Sequence, residues 1–256
     1  MENHALALAG KVAVVTGGSR GIGRAVVELL ADLGANVVVN YVRDEKAAAS
    51  AVSSAEDKGV RAIAVQADVS SVREAERLIQ ETLEHFEQVD ILICNAGFWE
   101  GSAIDQISEE LWDKTIDINL KGTWSVCRAA VPLMKRQQFG RIVIVSSTAG
   151  QRGEANVSNY AASKGGQISF TKSLSTELAS FGINVNCVAP GWVATEMNEE
   201  VFADGARLNS ILSTIPLGQV ATAEDIAGPV VFLCTQWANH ITGEVLNVNG
   251  GSVLCG

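Results

Sequence analysis

The amino-terminal part of the chain places a glycine-rich turn directly between a strand and a helix. Residues 11–16 form a short valine-rich run, which predicts a buried strand. The run leads into Gly17, Gly21 and Gly23, and a helical apolar pattern follows from residue 24 to residue 34. Such a turn lets backbone N–H groups approach a diphosphate at the positive end of the helix dipole. The segment therefore predicts a dinucleotide-binding α/β unit, with an ordinary tight turn as the alternative.

The same strand-then-helix pattern recurs along the chain. Valine-rich runs alternate with helical stretches; they lie at residues 12–15, 37–39, 89–93, 142–145 and 185–188. Two further strands are expected at Val60–Gln66 and Glu244–Val248. Continuous apolar strands separated by helices are typical of a parallel sheet covered on both faces. With 256 residues and 47% hydrophobic content, the chain predicts one doubly wound Rossmann-type domain over residues 1–256, with a seven-stranded parallel sheet.

A second pattern, Tyr160-x-x-x-Lys164, combines two side chains that can transfer a proton together. Residues four apart share one face of a helix, so the Lys164 ammonium lies beside the Tyr160 phenol. A nearby positive charge favours the phenolate, and we expect it to lower the tyrosine pKa from its usual value of about 10. Tyr160 can then exchange a proton with a carbonyl or alcohol oxygen, and Ser147, thirteen residues upstream, can hydrogen-bond that oxygen. The alternative is a surface pair on an amphipathic helix.

Taken together, the Gly-x-x-x-Gly-x-Gly spacing and the Tyr-x-x-x-Lys pair closely resemble the short-chain dehydrogenase/reductase family. The resemblance extends over nearly the whole chain through further motifs in the order of the family: Asp68-Val69, Asn95-Ala96-Gly97, Asn119, Ser147, and Pro190-Gly191 with Thr195. Nucleotide-sugar epimerases share the Tyr-x-x-x-Lys pair, but they use a different glycine spacing and carry a larger C-terminal domain.

The resemblance implies roles for these residues. Ser147, Tyr160 and Lys164 are the expected catalytic residues, together with Asn119, which would hold a water on the proton path to Lys164. The expected cofactor-binding residues are those of the glycine turn, the strand ends, the catalytic pair and the nicotinamide loop: Gly17, Ser19, Arg20, Gly21, Ile22, Gly23, Asn40, Arg43, Asp68, Val69, Asn95, Ala96, Gly97, Tyr160, Lys164, Pro190, Gly191, Val193 and Thr195. Residues 192–216, which lack a clear core pattern, correspond to the substrate lid.

Local explanations remain open for some of these motifs. Asp68 also precedes a helix whose capping box would be Ser71-x-x-Glu74. The Asn95-Ala96-Gly97 motif could be a turn that ends a strand. The choice of Ser147 over its neighbour Ser146 depends on the spacing to the tyrosine that the family shows.

Charge at the end of the second strand bears on the choice of nicotinamide cofactor. NAD-specific sites place a carboxylate there to bind the ribose 2′-hydroxyl, whereas here the strand at residues 36–41 ends without one and Asn40 is neutral. Arg43 and Arg20 are cations that can bind a 2′-phosphate. The sequence therefore favours NADP(H) over NAD(H), although Asp44 lies nearby and both arginines could be solvated surface charges.

The substrate is constrained less tightly. The chain resembles the 3-oxoacyl-acyl-carrier-protein reductases, in which basic residues dock an acidic carrier. The corresponding places hold Gln137-Gln138 and Phe181, although Lys135 and Arg136 are close. The lid also carries acidic residues that would repel such a carrier: Glu196, Glu199, Glu200 and Asp204. Two further departures from that group are Phe98-Trp99-Glu100 and Asn249.

We therefore predict an NADP(H)-dependent ketoreductase acting on a small or medium ketone or secondary alcohol. Trp99, Trp192 and Phe202 are candidate pocket walls, with ordinary packing as the alternative. The first alternative function is a 3-oxoacyl-acyl-carrier-protein reductase. A remote one is a dinucleotide sensor without catalysis.

Composition excludes several other classes of protein. A net charge of −10 argues against nucleic acid as a partner. The odd number of cysteines, five, and an amino terminus without the basic region of a secretion signal predict a cytoplasmic chain with reduced thiols. No apolar run approaches a membrane span, and the three histidines lack metal-ligand spacing, so no metal is expected.

The long helices expected around Asp113–Gln138 and Ser158–Phe181 bear on assembly. The first carries more apolar surface than one sheet face needs, at Trp112, Ile116, Leu120, Trp124, Cys127 and Val131. We expect a homotetramer, the usual assembly of the family, with the segment near Val253-Leu254 against a neighbouring subunit. Coverage of that face within one chain is the alternative.

Overall fold

A seven-stranded, fully parallel sheet forms the centre of the computed structural model, which describes residues 7–254. The strand order is β3-β2-β1-β4-β5-β6-β7. The strands are β1 (Val12–Val15), β2 (Asn36–Tyr41), β3 (Ala62–Gln66), β4 (Ile91–Cys94), β5 (Gly140–Val145), β6 (Ile183–Pro190) and β7 (Val245–Val248). Each predicted strand is present, and the predicted doubly wound α/β fold is confirmed.

Ten α-helices of the described chain connect and cover these strands. They are α1 (Gly21–Asp32), α2 (Glu45–Glu56), α3 (Val72–Phe86), α4 (Glu109–Ile116), α5 (Gly122–Gln137), α6 (Thr148–Arg152), α7 (Ser158–Leu178), α8 (Glu199–Ala203), α9 (Gly205–Ser213) and α10 (Ala223–Phe232). The strand order reverses between β1 and β4, and in sheets of this kind the crevice at the carboxyl ends of those strands binds ligands.

The alternation of side chains along the strands separates two core layers. In β1, Ala13 and Val15 face the layer that contains α1, α2 and α10, whereas Val12 and Val14 face the layer with α3, α5 and α7. All four side chains are buried. Burial on both faces explains why the strands read as continuous apolar runs rather than as alternating ones.

The helix predicted around Asp113–Gln138 is not uniform. A π-helical turn at Asp117–Lys121 separates α4 from α5, and the N–H of Gly122 bonds the carbonyl of Asp117, five residues earlier. The apolar period does not reveal such a turn, because the side-chain pattern continues on either side of it. Asn119 lies within the turn, and π-turns are often found at functional sites.

The segment expected to be a lid contains short helices that the sequence pattern did not predict. Trp192 is followed by α8 and α9, and the apolar side chains of this region form a small cluster separate from the two sheet layers. Its members are Val201, Ile211 and Ile215, with Trp99, Trp192, Phe202 and Val220 packed against them. The cluster is too small to produce a long helical period, which explains why no core pattern was visible.

Candidate active site

Ser147, Tyr160 and Lys164 meet at the carboxyl end of β5. Ser147 follows that strand and caps α6, its Oγ accepting from the N–H of Ala149 at 3.1 Å. Tyr160 and Lys164 lie in the first two turns of α7, with the Lys164 Nζ 5.6 Å from the centroid of the Tyr160 ring. Lys164 is 3% exposed, and its Nζ donates to the carbonyl of Val145 at 2.8 Å. The helix face and the strand end thus bring the three predicted catalytic residues together.

Burial controls the protonation of this pair. It raises the pKa of Tyr160 to about 12, opposed by a hydrogen bond from Ser147 and reinforced by the negative charge of Glu154. Burial also lowers the pKa of Lys164 to about 8. The expectation that Lys164 brings the tyrosine pKa below its usual value is therefore wrong for the protein alone. The physical reason is that burial, nearly complete for Lys164 and partial for Tyr160, disfavours the phenolate and the ammonium alike.

The two adjacent serines have different surroundings. Ser146 is 3% exposed, and its Oγ donates to the main-chain carbonyl of Lys164 at 2.8 Å. Ser147 is half-buried and hydrogen-bonds Tyr160. Of the two hydroxyls, that of Ser147 is therefore the one next to the phenol.

Asn119 is fully buried between the π-turn and the loop that follows β4. Its Oδ1 accepts from the N–H of Phe98 at 2.7 Å, and its Nδ2 donates to the Phe98 carbonyl at 2.9 Å and to the Ser163 Oγ at 3.0 Å. A Cβ placed on Gly97 would lie 3.6 Å from both the Asn119 Oδ1 and the Lys164 Nζ. Asn119 therefore lies close to the lysine, as the proton-path prediction requires.

The glycine turn packs tightly against the start of α1. A Cβ on Gly23 would come within 2.2 Å of the Gly17 carbonyl oxygen and 2.6 Å of the Asn95 Nδ2. Gly17 and Gly21 have φ values of +63° and +52°, a region that disfavours other residues. The turn thus requires glycine at these three positions for steric reasons that do not depend on a ligand.

The N–H groups at the amino terminus of α1 have no side-chain cap and can bind an anion. Its N-cap, Arg20, makes no side-chain cap, and its first turn has no acidic residue. By contrast, Asp44 caps α2 and Ser71 caps α3 with their side chains. Free N–H groups and the helix dipole favour a phosphate at this end, so the residues present fit the diphosphate of a dinucleotide.

Asn40, in β2, supports the glycine turn from below. Asn40 is 1% exposed; its Oδ1 accepts from the N–H of Gly17 at 3.3 Å, and its Nδ2 donates to main-chain carbonyls of Val65 and Ala67. Its side chain points into the protein, which corrects the expectation that Asn40 contacts the cofactor. The half-buried Tyr41 is the last residue of β2.

Asn95 and Ala96 bind the same turn from the end of β4. The Nδ2 of Asn95 donates to the carbonyls of Thr16 and Gly17 at 3.0 and 3.1 Å, and the N–H groups of Asn95 and Ala96 both donate to the Thr16 Oγ1. The motif therefore does more than end a strand. It fixes the turn in which Gly17 lies.

The surroundings of Asp68 agree in part with the local alternative. Its Oδ1 accepts from the N–H and the hydroxyl of Ser70, and its own N–H donates to the Glu74 Oε2 at 2.7 Å. Ser71 caps α3, but Glu74 bonds Asp68 instead of completing a capping box with Ser71. Asp68 also lines a polar cavity of about 590 Å³ together with Val42, Ser71 and Arg73, whereas Val69 is buried.

The segment after β6 lies over the glycine turn. A Cβ on Gly191 would lie 3.0 Å from Asn249, and one on Gly21 would lie 3.4 Å from the Thr195 Cγ2. Val193 is buried and pairs with Ala221 in an isolated parallel bridge. Thr195 is thus brought beside Gly21 although some 170 residues separate the two in sequence.

Cations and carboxylates at the far end of the turn are exposed. The Arg20 Nη1 lies 3.5 Å from the Glu196 Oε2, with side chains 68% and 59% exposed. Arg43 is exposed next to Asp44, whose carboxylate is used to cap α2 by accepting from the N–H of Ala47 at 2.9 Å.

Two residues near the catalytic pair were missed by the sequence analysis. Glu154, in the loop between α6 and α7, influences Tyr160, and burial raises its own pKa against the charges of Arg152 and Arg207. Gln167 lies on α7, two turns after Tyr160, and is fully buried. The sequence did offer one sign of its importance, since Gln167 lies seven residues after Tyr160 and therefore on the same face of the helix.

The remaining predictions concern cysteines, metals and membranes. Cys94, Cys127, Cys187 and Cys234 are buried free thiols, while Cys255 and His4 lie outside the described residues. Across residues 7–254, no group of His, Cys, Asp and Glu side chains is arranged to hold a metal ion. No helix in that range is long and apolar enough to cross a membrane.

Known proteins resemble this chain along almost its full length. Residues 17–252 match the family described as enoyl-(acyl carrier protein) reductase. The 3-oxoacyl-(acyl-carrier-protein) reductase of Synechocystis sp. is 43% identical over 97% of this chain and 99% of its own length, and that of Staphylococcus aureus is 41% identical over 95% and 98%. A crystallised dehydrogenase/reductase from Sinorhizobium meliloti 1021 superposes with a TM-score of 0.92 at 34% identity, covering 98% of both chains.

Proposed function

The chain belongs to the short-chain dehydrogenase/reductase family, and on this basis we propose that it is an NADP(H)-dependent ketoreductase. It is an oxidoreductase of the class that interconverts a C=O and a CH–OH group. The observation that carries the proposal is the convergence of Ser147, Tyr160 and Lys164 at the end of β5, next to the neighbouring strand β6. In this proposal the protein reduces a small or medium ketone, or oxidises the matching secondary alcohol.

The cofactor would be held by the glycine turn and the strand ends. The N–H groups at the start of α1 would bind the diphosphate, Asp68 would lie near the adenine, and the Pro190–Thr195 segment would enclose the nicotinamide. When bound, NADP(H) supplies or accepts a hydride at the nicotinamide C4. Asn40 is assigned here to holding Gly17 rather than to the cofactor itself.

Tyr160 would supply the proton. With a pKa of about 12 the phenol keeps its proton at neutral pH and can donate it to the oxygen that gains negative charge as the hydride arrives. Ser147 would hydrogen-bond the same oxygen. Lys164 would lie behind the tyrosine and Asn119 would hold a relay water, so the donated proton can be replaced. In this form the device favours reduction near neutrality, and the oxidation rate should rise with pH.

The preference for NADP(H) is supported by charge. β2 ends in Tyr41 without a carboxylate, and Asp44, the nearest acid, serves as a helix cap. Arg43 follows that strand end by two residues, and Arg20 lies in the glycine turn, where it pairs with Glu196; both guanidiniums are exposed. A 2′-phosphate would gain charge-assisted hydrogen bonds there and would meet no close carboxylate from β2.

Neutral replacements of these arginines test cofactor choice. Arg20→Gln with Arg43→Gln should raise the KM for NADPH at least about tenfold and change the KM for NADH little, because each charge-assisted bond contributes roughly 1.5–3 kcal/mol. Steady-state kinetics with both cofactors measure this. A wild-type protein that already prefers NADH would contradict the assignment.

A second candidate function, reduction of a 3-oxoacyl group on a carrier protein, is favoured by the names of the relatives at 41–43% identity. The acidic lid argues against it, and so does the setting of Lys135, whose Nζ lies 4.6 Å from the Phe181 ring centroid and 3.8 Å from the Glu177 carboxylate. A lysine that is partly neutralised by a glutamate is a weak docking point for an acidic protein.

A substrate panel separates the candidates. NADPH oxidation followed at 340 nm with ethyl acetoacetate, simple ketones and sugars, against acetoacetyl thioesters of coenzyme A and of acyl carrier protein, measures kcat/KM for each class. We expect the small ketones to be turned over and the carrier thioester to gain no advantage over the coenzyme A thioester. A carrier advantage of about tenfold or more, lost in Lys135→Gln with Arg136→Gln, would establish the second candidate. NADPH binding without turnover of any substrate would instead indicate a sensor.

Residues 192–216 are proposed as the substrate lid. The Trp192 ring lies 6.4 Å from that of Trp99 and 6.0 Å from that of Phe202 in edge-to-face contacts. These contacts join the loops after β4 and β6 to α8, and Arg207 on α9 acts on Glu154 near Tyr160. The aromatic rings would form the apolar wall against which the substrate packs.

A further inference from the structure

Gln167 on α7 is a buried amide that packing alone does not explain. Its two N–H groups donate to the main-chain carbonyl of Asn119 at 2.8 Å and to the Thr123 Oγ1 at 2.7 Å. Its Oε1 is buried and has no hydrogen-bond partner among residues 7–254. A buried acceptor without a partner costs free energy that a side chain of the same shape without polar atoms would avoid. The position therefore combines one unpaired acceptor with two donated bonds, and an apolar residue of the same shape would remove both.

The amide closes a ring of hydrogen bonds around the π-turn. The Thr123 hydroxyl donates to the Asn119 carbonyl at 2.8 Å, so that carbonyl accepts from Thr123 and Gln167 together. Both of its lone pairs are then used by the protein. The backbone of Asn119, within the turn at Asp117–Lys121, is thereby attached to the catalytic helix α7.

The side chain of Asn119 connects the π-turn to the surroundings of the catalytic lysine. Its amide bonds the N–H and carbonyl of Phe98 and the hydroxyl of Ser163. Next to Phe98, Gly97 lies where a Cβ would be 3.6 Å from both the Asn119 Oδ1 and the Lys164 Nζ. Rotation of Asn119 would therefore move the loop beside the Nζ and the one Asn119 oxygen that retains a free lone pair.

We propose that Gln167 is a positioning residue for proton supply to Tyr160. By bonding the main-chain carbonyl of Asn119, it fixes the π-turn, and with it the Asn119 side chain that holds the loop at Phe98 beside Lys164. The inference rests on the proposed ketoreductase function, in which the donated proton is replaced through Lys164.

Two replacements of similar length separate positioning from packing. Gln167→Met removes both N–H donors and the unpaired Oε1, and Gln167→Glu keeps the shape but loses the donors when ionised. In Gln167→Met we expect kcat for ethyl acetoacetate to fall roughly tenfold to a hundredfold, the KM for NADPH to stay within about twofold, and the melting temperature to stay within about 3 °C of wild type.

Gln167→Glu should show a pH signature that a structural role would not. A neutral carboxyl group can donate its O–H to the Asn119 carbonyl, whereas a carboxylate repels that oxygen. We expect its kcat to recover toward wild type as pH falls through the carboxyl pKa, with no such recovery in Gln167→Met. The control is Thr171→Val, which removes a buried hydroxyl one turn further along α7 that bonds the carbonyl of Gln167 rather than Asn119.

The outcomes decide the inference and the proposed function separately. A Gln167→Met protein with kcat within about twofold of wild type, or a Gln167→Glu protein without recovery at low pH, would overturn the positioning role. If the wild type turns over no ketone, the proposed function fails. Hydrogen–deuterium exchange still tests the attachment in that case: amides of residues 117–122 should exchange faster in Gln167→Met than in wild type and Thr171→Val, and unchanged exchange would overturn it.

Discussion

At the scale of single residues, protonation in the site is governed by removal of water. Both pKa values are shifted so that the neutral form is favoured. The pKa of Tyr160 is raised to about 12, and that of Lys164 is lowered to about 8. A neutral phenol beside the Ser147 hydroxyl is a proton donor ready for a reduction. This arrangement gives two predictions that concern individual side chains.

Tyr160→Phe removes the transferable proton and little else. We expect turnover to fall at least about a hundredfold, which corresponds to roughly 2.7 kcal/mol of lost transition-state stabilisation. NADPH binding, followed by fluorescence, should be retained. Ser146→Ala is the matched control, because its hydroxyl bonds the main chain of Lys164 and not the phenol; it should keep most of the turnover. Near-normal activity in Tyr160→Phe would contradict the mechanism.

The lowered pKa of Lys164 predicts how stability depends on pH. The unfolded chain holds this proton up to about pH 10.4, whereas the folded protein releases it at about 8. Between these values the unfolded state binds more protons, so the contribution of Lys164 to stability rises with pH. The melting temperature of wild type relative to Lys164→Met should therefore increase from pH 7 to pH 10.

An exposed lysine on the same helix provides the control for that series. Lys172→Met removes a surface amine from α7 and reports the effect of losing any lysine. The quantity to follow is the melting temperature of wild type minus that of Lys164→Met. If this difference falls or stays constant from pH 7 to pH 10, the amine is not buried as described.

At the scale of secondary-structure elements, the main feature of the candidate site is the close packing of the glycine turn against the start of α1. The turn is held from below by Asn40 and from the side by Asn95, and it presents the uncapped start of α1. Because Gly23 lies against the carbonyl of Gly17, the shape of the turn, and of the diphosphate site proposed there, depends on the absence of one methyl group.

Gly23→Ala tests this dependence. A Cβ 2.2 Å from the Gly17 carbonyl oxygen forces the turn to move, so we expect the Kd for NADPH to rise at least about tenfold and stability to fall by roughly 1–3 kcal/mol. Gly205→Ala at the start of α9 is the matched control, since its Cβ would meet nothing within 4 Å and no proline follows it. That change should leave the Kd for NADPH and the stability close to wild type. Equal behaviour of the two variants would refute the steric argument.

At the scale of the whole molecule, the described chain leaves large apolar side chains exposed. Trp112 and Trp124 are 39% and 41% exposed on the helices that were expected to meet a partner, whereas Cys127 on the same stretch is buried within the chain. At the carboxyl end, Leu254 is 90% exposed but Val253 is already buried in its own chain. The latter finding limits the proposed contact of that segment with a neighbour to Leu254.

We propose a homotetramer on this basis, with the face of α4 and α5 that carries the two tryptophans at an interface. Light scattering at micromolar concentration should give four times the mass of the chain. Trp124→Glu should lower the mass, because it places a charge in an apolar contact. Ile104→Glu, at a position that lies outside these helices and is 72% exposed, should not. A wild-type protein that is monomeric in this measurement would contradict the proposal.

The sequence alone determined the features that depend on local geometry. Strand runs and helical periods reveal which faces are buried, and glycine spacing reveals where the backbone needs positive φ or close approach, as at Gly17 and Gly23. The four-residue spacing of Tyr160 and Lys164 follows from the pitch of one helix. For these reasons the sheet, the glycine turn and the place of Tyr160 and Lys164 on one helix were predicted correctly, and the catalytic role of the pair stays a prediction.

Only the tertiary structure decided the features that arise between distant segments. The fold buries Lys164 and excludes water from it. The direction in which its pKa is shifted could therefore not be deduced from its neighbours in sequence. The side of β2 on which Asn40 points, and the bond from Gln167 to Asn119 across 48 residues, depend on how helices and strands pack. Local patterns report which face a residue prefers, whereas charge, hydrogen-bond partners and solvation are properties of the assembled core.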